Sequence, residues 1–153
     1  MAIQGPIPVE FGAVFPDGVY AAGGIEPVRD FDRSSADRII QQTDKHTGLP
    51  PWVVEVIDAD PEARQRTVKV KIAATVQPVL PSPAPGSPFT PVEFEGLTAT
   101  PYVDASRCQG NGKGTGQGKD KCGARLAYSL KATGVRAPSP GITRPAPEHK
   151  DAA

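Results

Sequence analysis

The sequence predicts an all-β fold, and three observations carry that expectation. Residues 47–72, TGLPPWVVEVIDADPEARQRTVKVKI, read as two strands on either side of a charged turn. The chain also holds 18 prolines and 16 glycines, placed mostly between the β-like runs, where they break helices and set turns. Finally, 153 residues suffice for one modest core but not for two. The expected organisation is one domain over residues 1–136 and a disordered tail over 137–153, where Pro, Ala, Ser and charge offer little surface to bury.

Taken in order, residues 9–14 form a short apolar run, followed by the turn signal Phe15-Pro16-Asp17-Gly18 and then Val19-Tyr20-Ala21-Ala22. That pattern suggests a first hairpin or a long bent strand. Residues 31–42 are the one stretch with a helical reading, capped by Ser34 or Ser35, although a polar loop fits equally well. Trp52-Val53-Val54-Glu55-Val56-Ile57 is apolar on both faces except at Glu55, as a central strand would be. In the next strand Val68, Val70 and Ile72 point one way and Thr67, Lys69 and Lys71 the other. The result is a half-buried strand with a cationic outer face.

Residues 78–88 are too dense in proline for regular structure and read as a long loop. Alternation resumes over 91–103, with Val92 and Phe94 on one side, Glu93 and Glu95 on the other, and Gly96 marking a bulge. Leu126, Tyr128 and Leu130 alternate with Ala127, Ser129 and Lys131 in a last strand ending at Gly134. The expected core includes Val54, Val56, Val68, Val70, Ile72, Phe94 and Leu126.

Formal net charge is zero, but it is unevenly spread. Residues 1–106 hold 8 Lys and Arg against 14 Asp and Glu, and residues 107–153 hold 9 against 3, which makes the halves −6 and +6. A basic C-terminal region suits a polyanionic partner, and it equally suits a solvated tail on an acidic body. The N-terminus has neither a basic n-region nor a continuous apolar h-region, so a cytoplasmic location is expected. No run approaches the roughly 20 apolar residues of a membrane helix.

Between Cys108 and Cys122 glycine recurs at positions 110, 112, 114, 116 and 118, interspersed with Lys113, Lys119 and Lys121. This is not a phosphate-cradling Walker loop: Lys113 stands where its first glycine belongs, and Asp120 replaces the hydroxyl residue. A cationic loop that brushes a phosphate backbone is the better reading. The two cysteines are expected to be free thiols, and with His46 and His149 off finger-like spacing no zinc site is expected. Asp58 and Asp60 belong to a turn, neither histidine lies in a nucleophile motif, and no enzyme or cofactor site is expected. Trp52, Tyr102 and Tyr128 have two readings, as stacking platforms for unpaired bases and as packing residues.

The blocks MAIQGPIPVEFGAVFPDGVY, GLPPWVVEVIDADPE, TVKVKIAA, PVEFEGLTATPYV and RLAYSLKATGVRAP together resemble the Pra-type activators of replication, integration and excision of actinobacterial integrative plasmids. The loop Asp44, Gly48, Pro50 leading into a strand pair is also similar to the helix-destabilising proteins of filamentous phages, which are OB-type barrels that bind single-stranded DNA. The second resemblance implies a small antiparallel OB-like barrel with long Pro/Gly-rich loops. The first implies a non-enzymatic activator of a mobile element. On that reading Lys69, Lys71, Arg107, Lys113, Lys119, Lys121 and Arg125 meet phosphates of single-stranded DNA, while Trp52 or Tyr128 stacks bases. The rival is a transcriptional or protein adaptor that recruits the replication initiator or excision proteins without touching DNA. A second copy of the chain is a further expected partner.

Overall fold

In the computed structural model, residues 5–106 and 123–140 are described. The elements in chain order are β1 (Ile7–Pro8), α1 (Phe11–Val14), β2 (Val19–Ala21), β3 (Glu26–Pro27), β4 (Pro51–Asp58), β5 (Thr67–Ala73), β6 (Thr90–Glu95), β7 (Thr98–Asp104), β8 (Arg125–Ala132) and β9 (Gly134–Arg136).

The fold is nearly all β, and its ladders return on themselves. Strand β4 lies between β2 and β5, β5 pairs β8, and β8 pairs β7. The chain reaches β7 from β6 through Gly96 and Leu97, and β6 pairs β2 to bring the sheet round to its start. Likewise β8 passes through Thr133 into β9, which pairs β6. Two long bent strands, β6 with β7 and β8 with β9, therefore curl a single sheet into a barrel-like wall. Short β1 extends the β7 edge, and β3 pairs β4.

One pairing departs from the antiparallel expectation. Strands β5 and β8 run parallel, in register at Val70↔Leu130, Lys71↔Lys131 and Ile72↔Ala132. Two strands that are not consecutive can meet in either sense, and no hairpin turn constrains this pair.

Phe15, Val19, Val54, Val56, Val70, Ile72 and Val92 are fully buried, and Phe94, Leu97 and Leu130 join them in the core. Val68 packs against this core and is half-buried. Leu126 does not belong to it. At 62% exposure it sits on the part of the β7–β8 hairpin that runs past the barrel wall, where β5 no longer lies beside β8.

The helical reading of 31–42 fails as well. The segment folds back as a loop in which Ser34 Oγ accepts from Ile40 N at 2.9 Å and donates to Ile40 O at 3.1 Å, with Asp30 N donating to the same carbonyl. Serine competing for backbone groups, with few apolar positions to hold a helix on the core, explains the outcome. The helical turn lies instead at α1, in the run expected to be strand. There Phe15 N donates to Phe11 O, and the Phe11 ring packs at a tilt against Phe15 and Phe94 at centroid distances of 5.5 and 6.4 Å, which ties the turn to the core.

Gly96 marks a corner between β6 and β7. Its φ of 57° lies in the left-handed region, and a Cβ there would stand 2.4 Å from Thr133 Oγ1. Thr133 ties the two bent strands together, since its N–H and hydroxyl both donate to Glu95 O.

Glu93, expected on the solvent side, is only 7% exposed. Arg136 of β9 donates to its carboxylate at 2.7 Å and Ser139 N at 2.9 Å, so regular contacts continue to Ser139. The proline-rich connection is a loop without regular structure, held by Gln77 donating to Ile25 O and by Leu80 packing on the core. Asp58 and Asp60 form the β4–β5 turn as expected, each accepting a backbone N–H two residues on.

Candidate nucleic-acid interface

The pleat sorts the candidate residues between the two faces of the sheet. In β5 the odd-numbered side chains face out, and the registers Val53↔Lys71↔Lys131↔Thr98 and Glu55↔Lys69 set their neighbours. Lys71 and Lys131 are therefore adjacent across the parallel pair, with Lys69 two residues before Lys71. At the far end of the same face, Arg125 lies opposite Asp104 and Ala127 opposite Tyr102. On the near side Tyr20 of β2 pairs Ile57, with Val19 and Ala21 buried on either side of it. Both tyrosines are exposed, Tyr102 at 51%.

Charge on this face is partly neutralised. Arg125 Nε donates to Asp104 Oδ2 at 3.0 Å, and Lys131 Nζ donates to Asp44 Oδ2. Among the described residues Lys69 and Lys71 make no ion pair, although Glu55 lies across the strand from Lys69.

Asp44 is the buried anchor of the long β3–β4 connection. Its Oδ1 accepts from His46 N and Thr47 N, while Gly48, at φ 70°, donates to its carbonyl. Burial pushes its pKa up, but the Lys131 hydrogen bond and the two backbone N–H groups outweigh that and hold it at about 2. Ser106 first and Arg125 second likewise hold Asp104 at about 2. At the β4 end, burial raises the Asp58 pKa, opposed by a backbone hydrogen bond from Asp60 and aided by the Asp60 and Asp17 charges.

Of the residues singled out in sequence, Lys69, Lys71 and Arg125 come together on the outer face. Trp52 does not join them. It points to the core side of β4, half-buried, with Nε1 donating to Ala74 O at 2.9 Å. Tyr128 faces the same inner side of β8 as Leu130, away from Lys131. Arg107, Lys113, Lys119, Lys121 and both cysteines lie outside the described residues.

Sequence reasoning missed Lys131, Tyr20 and Asp44 as members of this face and its support. The period-two pattern already placed Lys131 and Tyr20 opposite buried neighbours, but which strands adjoin them is not a local property. Among the described residues no cluster of three or more His, Cys, Asp or Glu forms a metal site, and no helix is long and apolar enough to cross a membrane.

No protein family, no curated protein and no solved structure matches the chain.

Proposed function

We propose that this protein is a non-enzymatic accessory factor in replication, integration and excision of an integrative plasmid, and that it binds single-stranded DNA on the outer face of β4, β5 and β8. The observation that carries the reading is the juxtaposition of Lys69 and Lys71, without ion-pair partners among the described residues, with exposed Tyr102 and Tyr20 on the same curved face. Cations beside aromatic rings suit a strand whose phosphates and unstacked bases are both accessible. Fold analogy adds to this, because OB-type barrels bind oligonucleotides on one face of their sheet and this chain's sheet is barrel-like.

A salt-dependent titration with single- and double-stranded oligonucleotides tests it. Tighter binding of single strands is expected, with an affinity that falls linearly in log–log form at about 0.7 per neutralised phosphate. Absence of affinity for single strands at low salt would remove the reading.

The adaptor role is the second reading. It is favoured by the pairing of Arg125 and Lys131 with carboxylates, which leaves fewer cations for phosphates, and by the exposed apolar side chains Val103 and Leu126.

A further inference from the structure

Strands β5 and β8 share a ladder of only three register pairs, yet each is much longer than that ladder. Strand β5 begins at Thr67 and β8 at Arg125, whereas their mutual ladder begins at Val70 and Leu130. On their other sides both are fully occupied: β4 pairs β5 from Thr67 to Ala73, and β7 pairs β8 from Arg125 to Lys131. Before the parallel ladder starts, two strand edges therefore face one another across a gap without strand partners among the described residues.

That gap is an open cleft of about 790 Å3. Its walls include Thr67, Val68 and Lys69 of one edge and Leu126, Tyr128 and Ser129 of the other. Val9, Val14 and Phe15 form an apolar floor. Lys69, Lys71, Arg64 and Arg125 outnumber Glu55 and Asp58 around it. Leu126 and Tyr128 are 62% and 56% exposed, an unusual state for large apolar side chains on the inward side of a strand.

We propose that the wedge between β5 and β8 receives an extended peptide segment of a protein partner. The segment completes the ladder on one or both edges, sets apolar side chains at alternate positions against Val68, Leu126 and Tyr128, and presents acidic side chains to the basic rim. An open sheet edge supplies main-chain donors and acceptors at strand spacing, and pockets on one face select every second side chain. The volume lies within the roughly 300–1,000 Å3 typical of ligand sites. A nucleic acid fits the wedge less well, because the cations stand at its rim while the interior is lined by the apolar side chains of Val9, Val14, Val68 and Leu126. Peptide capture here shares Lys69, Lys71 and Arg125 at the rim with the proposed DNA-binding face, while the apolar wall of Val68, Leu126 and Tyr128 belongs to the wedge alone.

The test uses the full chain and a fluorescein-labelled octapeptide, Asp-Val-Asp-Val-Glu-Leu-Asp-Val, read by fluorescence anisotropy. Two analogues accompany it, one with lysine for every acid and one with proline at two interior positions. The expected result is saturable binding of the first peptide and at least tenfold weaker binding of both analogues. Leu126→Asp should weaken binding at least tenfold with an unchanged far-ultraviolet circular dichroism spectrum, since the side chain is exposed. Tyr128→Ser provides a second variant of the same wall. Amide exchange should slow at Thr67, Val68 and Lys69 or at Ala127 and Ser129 when peptide is added. Equal binding of the three peptides, indifference to Leu126→Asp and Tyr128→Ser, or no added protection on either edge would overturn the proposal. It is also overturned if oligothymidylate displaces the peptide and Leu126→Asp weakens both ligands equally, because the wedge would then belong to the nucleic-acid path.

Discussion

Asp44 and Lys131 stand 87 residues apart in sequence and share a charge-assisted hydrogen bond that fastens the β3–β4 connection to the outer face of β8. Asp44 also closes its own loop through His46 N and Thr47 N, so one carboxylate serves as the local turn organiser and as the long-range clasp. The clasp consumes Lys131 and leaves Lys71 beside it without an ion pair among the described residues.

Replacing Asp44 with Ala should destabilise the fold by about 1.5–3 kcal/mol, the range for hydrogen bonds to charged groups, measured by urea unfolding. The effect has a definite pH dependence. The folded-state pKa of about 2 lies below the ordinary 3.8, so the stabilisation is fully present above about pH 4 and is lost as pH falls through 2. Wild type and Asp44→Ala should therefore converge in stability toward pH 2. A gap that persists undiminished there would contradict the assignment.

Gly96→Ala should cost at least about 1–2 kcal/mol, the penalty of left-handed backbone for a residue with a Cβ. The added methyl also meets Thr133 Oγ1 and Cγ2 at 2.4 and 2.9 Å. Thr133→Ala removes those two atoms, so the double variant should be less destabilised than the sum of the single ones. Strict additivity in a thermal-unfolding cycle would place the strain elsewhere.

The contrast between Ile72 and Leu126 separates the barrel core from the protruding hairpin. Ile72→Ala should cost about 2–5 kcal/mol, as for a fully buried aliphatic residue. Leu126→Ala should stay within about 0.5 kcal/mol. Trp52→Phe keeps most of the packing and removes the hydrogen bond to Ala74 O, with an expected cost of about 0.5–1.5 kcal/mol and no change in affinity for single strands. Denaturant midpoints for the three variants check the stabilities, and the oligonucleotide titration checks the affinity of Trp52→Phe.

Reversing Lys69 and Lys71 to Glu should weaken single-stranded DNA binding and reduce the salt slope by about 0.7 for each phosphate that a lysine had neutralised. Tyr102→Ala should weaken binding by roughly 1–3 kcal/mol if the ring stacks a base, whereas Tyr128→Ala, on the opposite face of the sheet, should not. Equal effects for the two tyrosines would show that the outer face is not the binding surface.

By itself the sequence determined the strands and their faces. Alternation over residues 67–72 fixed which side of β5 is buried, and the apolar run over 52–57 marked β4 as central, because a pleated strand sends successive side chains to opposite sides whatever its neighbours are. Tertiary structure alone decided which strands adjoin. Nothing local says that β5 meets β8 in parallel, that Glu93 is covered by Arg136, or that Lys131 is neutralised by Asp44, since these contacts depend on how the bent strands close the sheet. Leu126 and Leu130 show the limit most clearly. They share a strand, a face and a side-chain type, yet Leu130 is buried and Leu126 exposed, because the neighbouring strand β5 covers Leu130 and has diverged from β8 at Leu126.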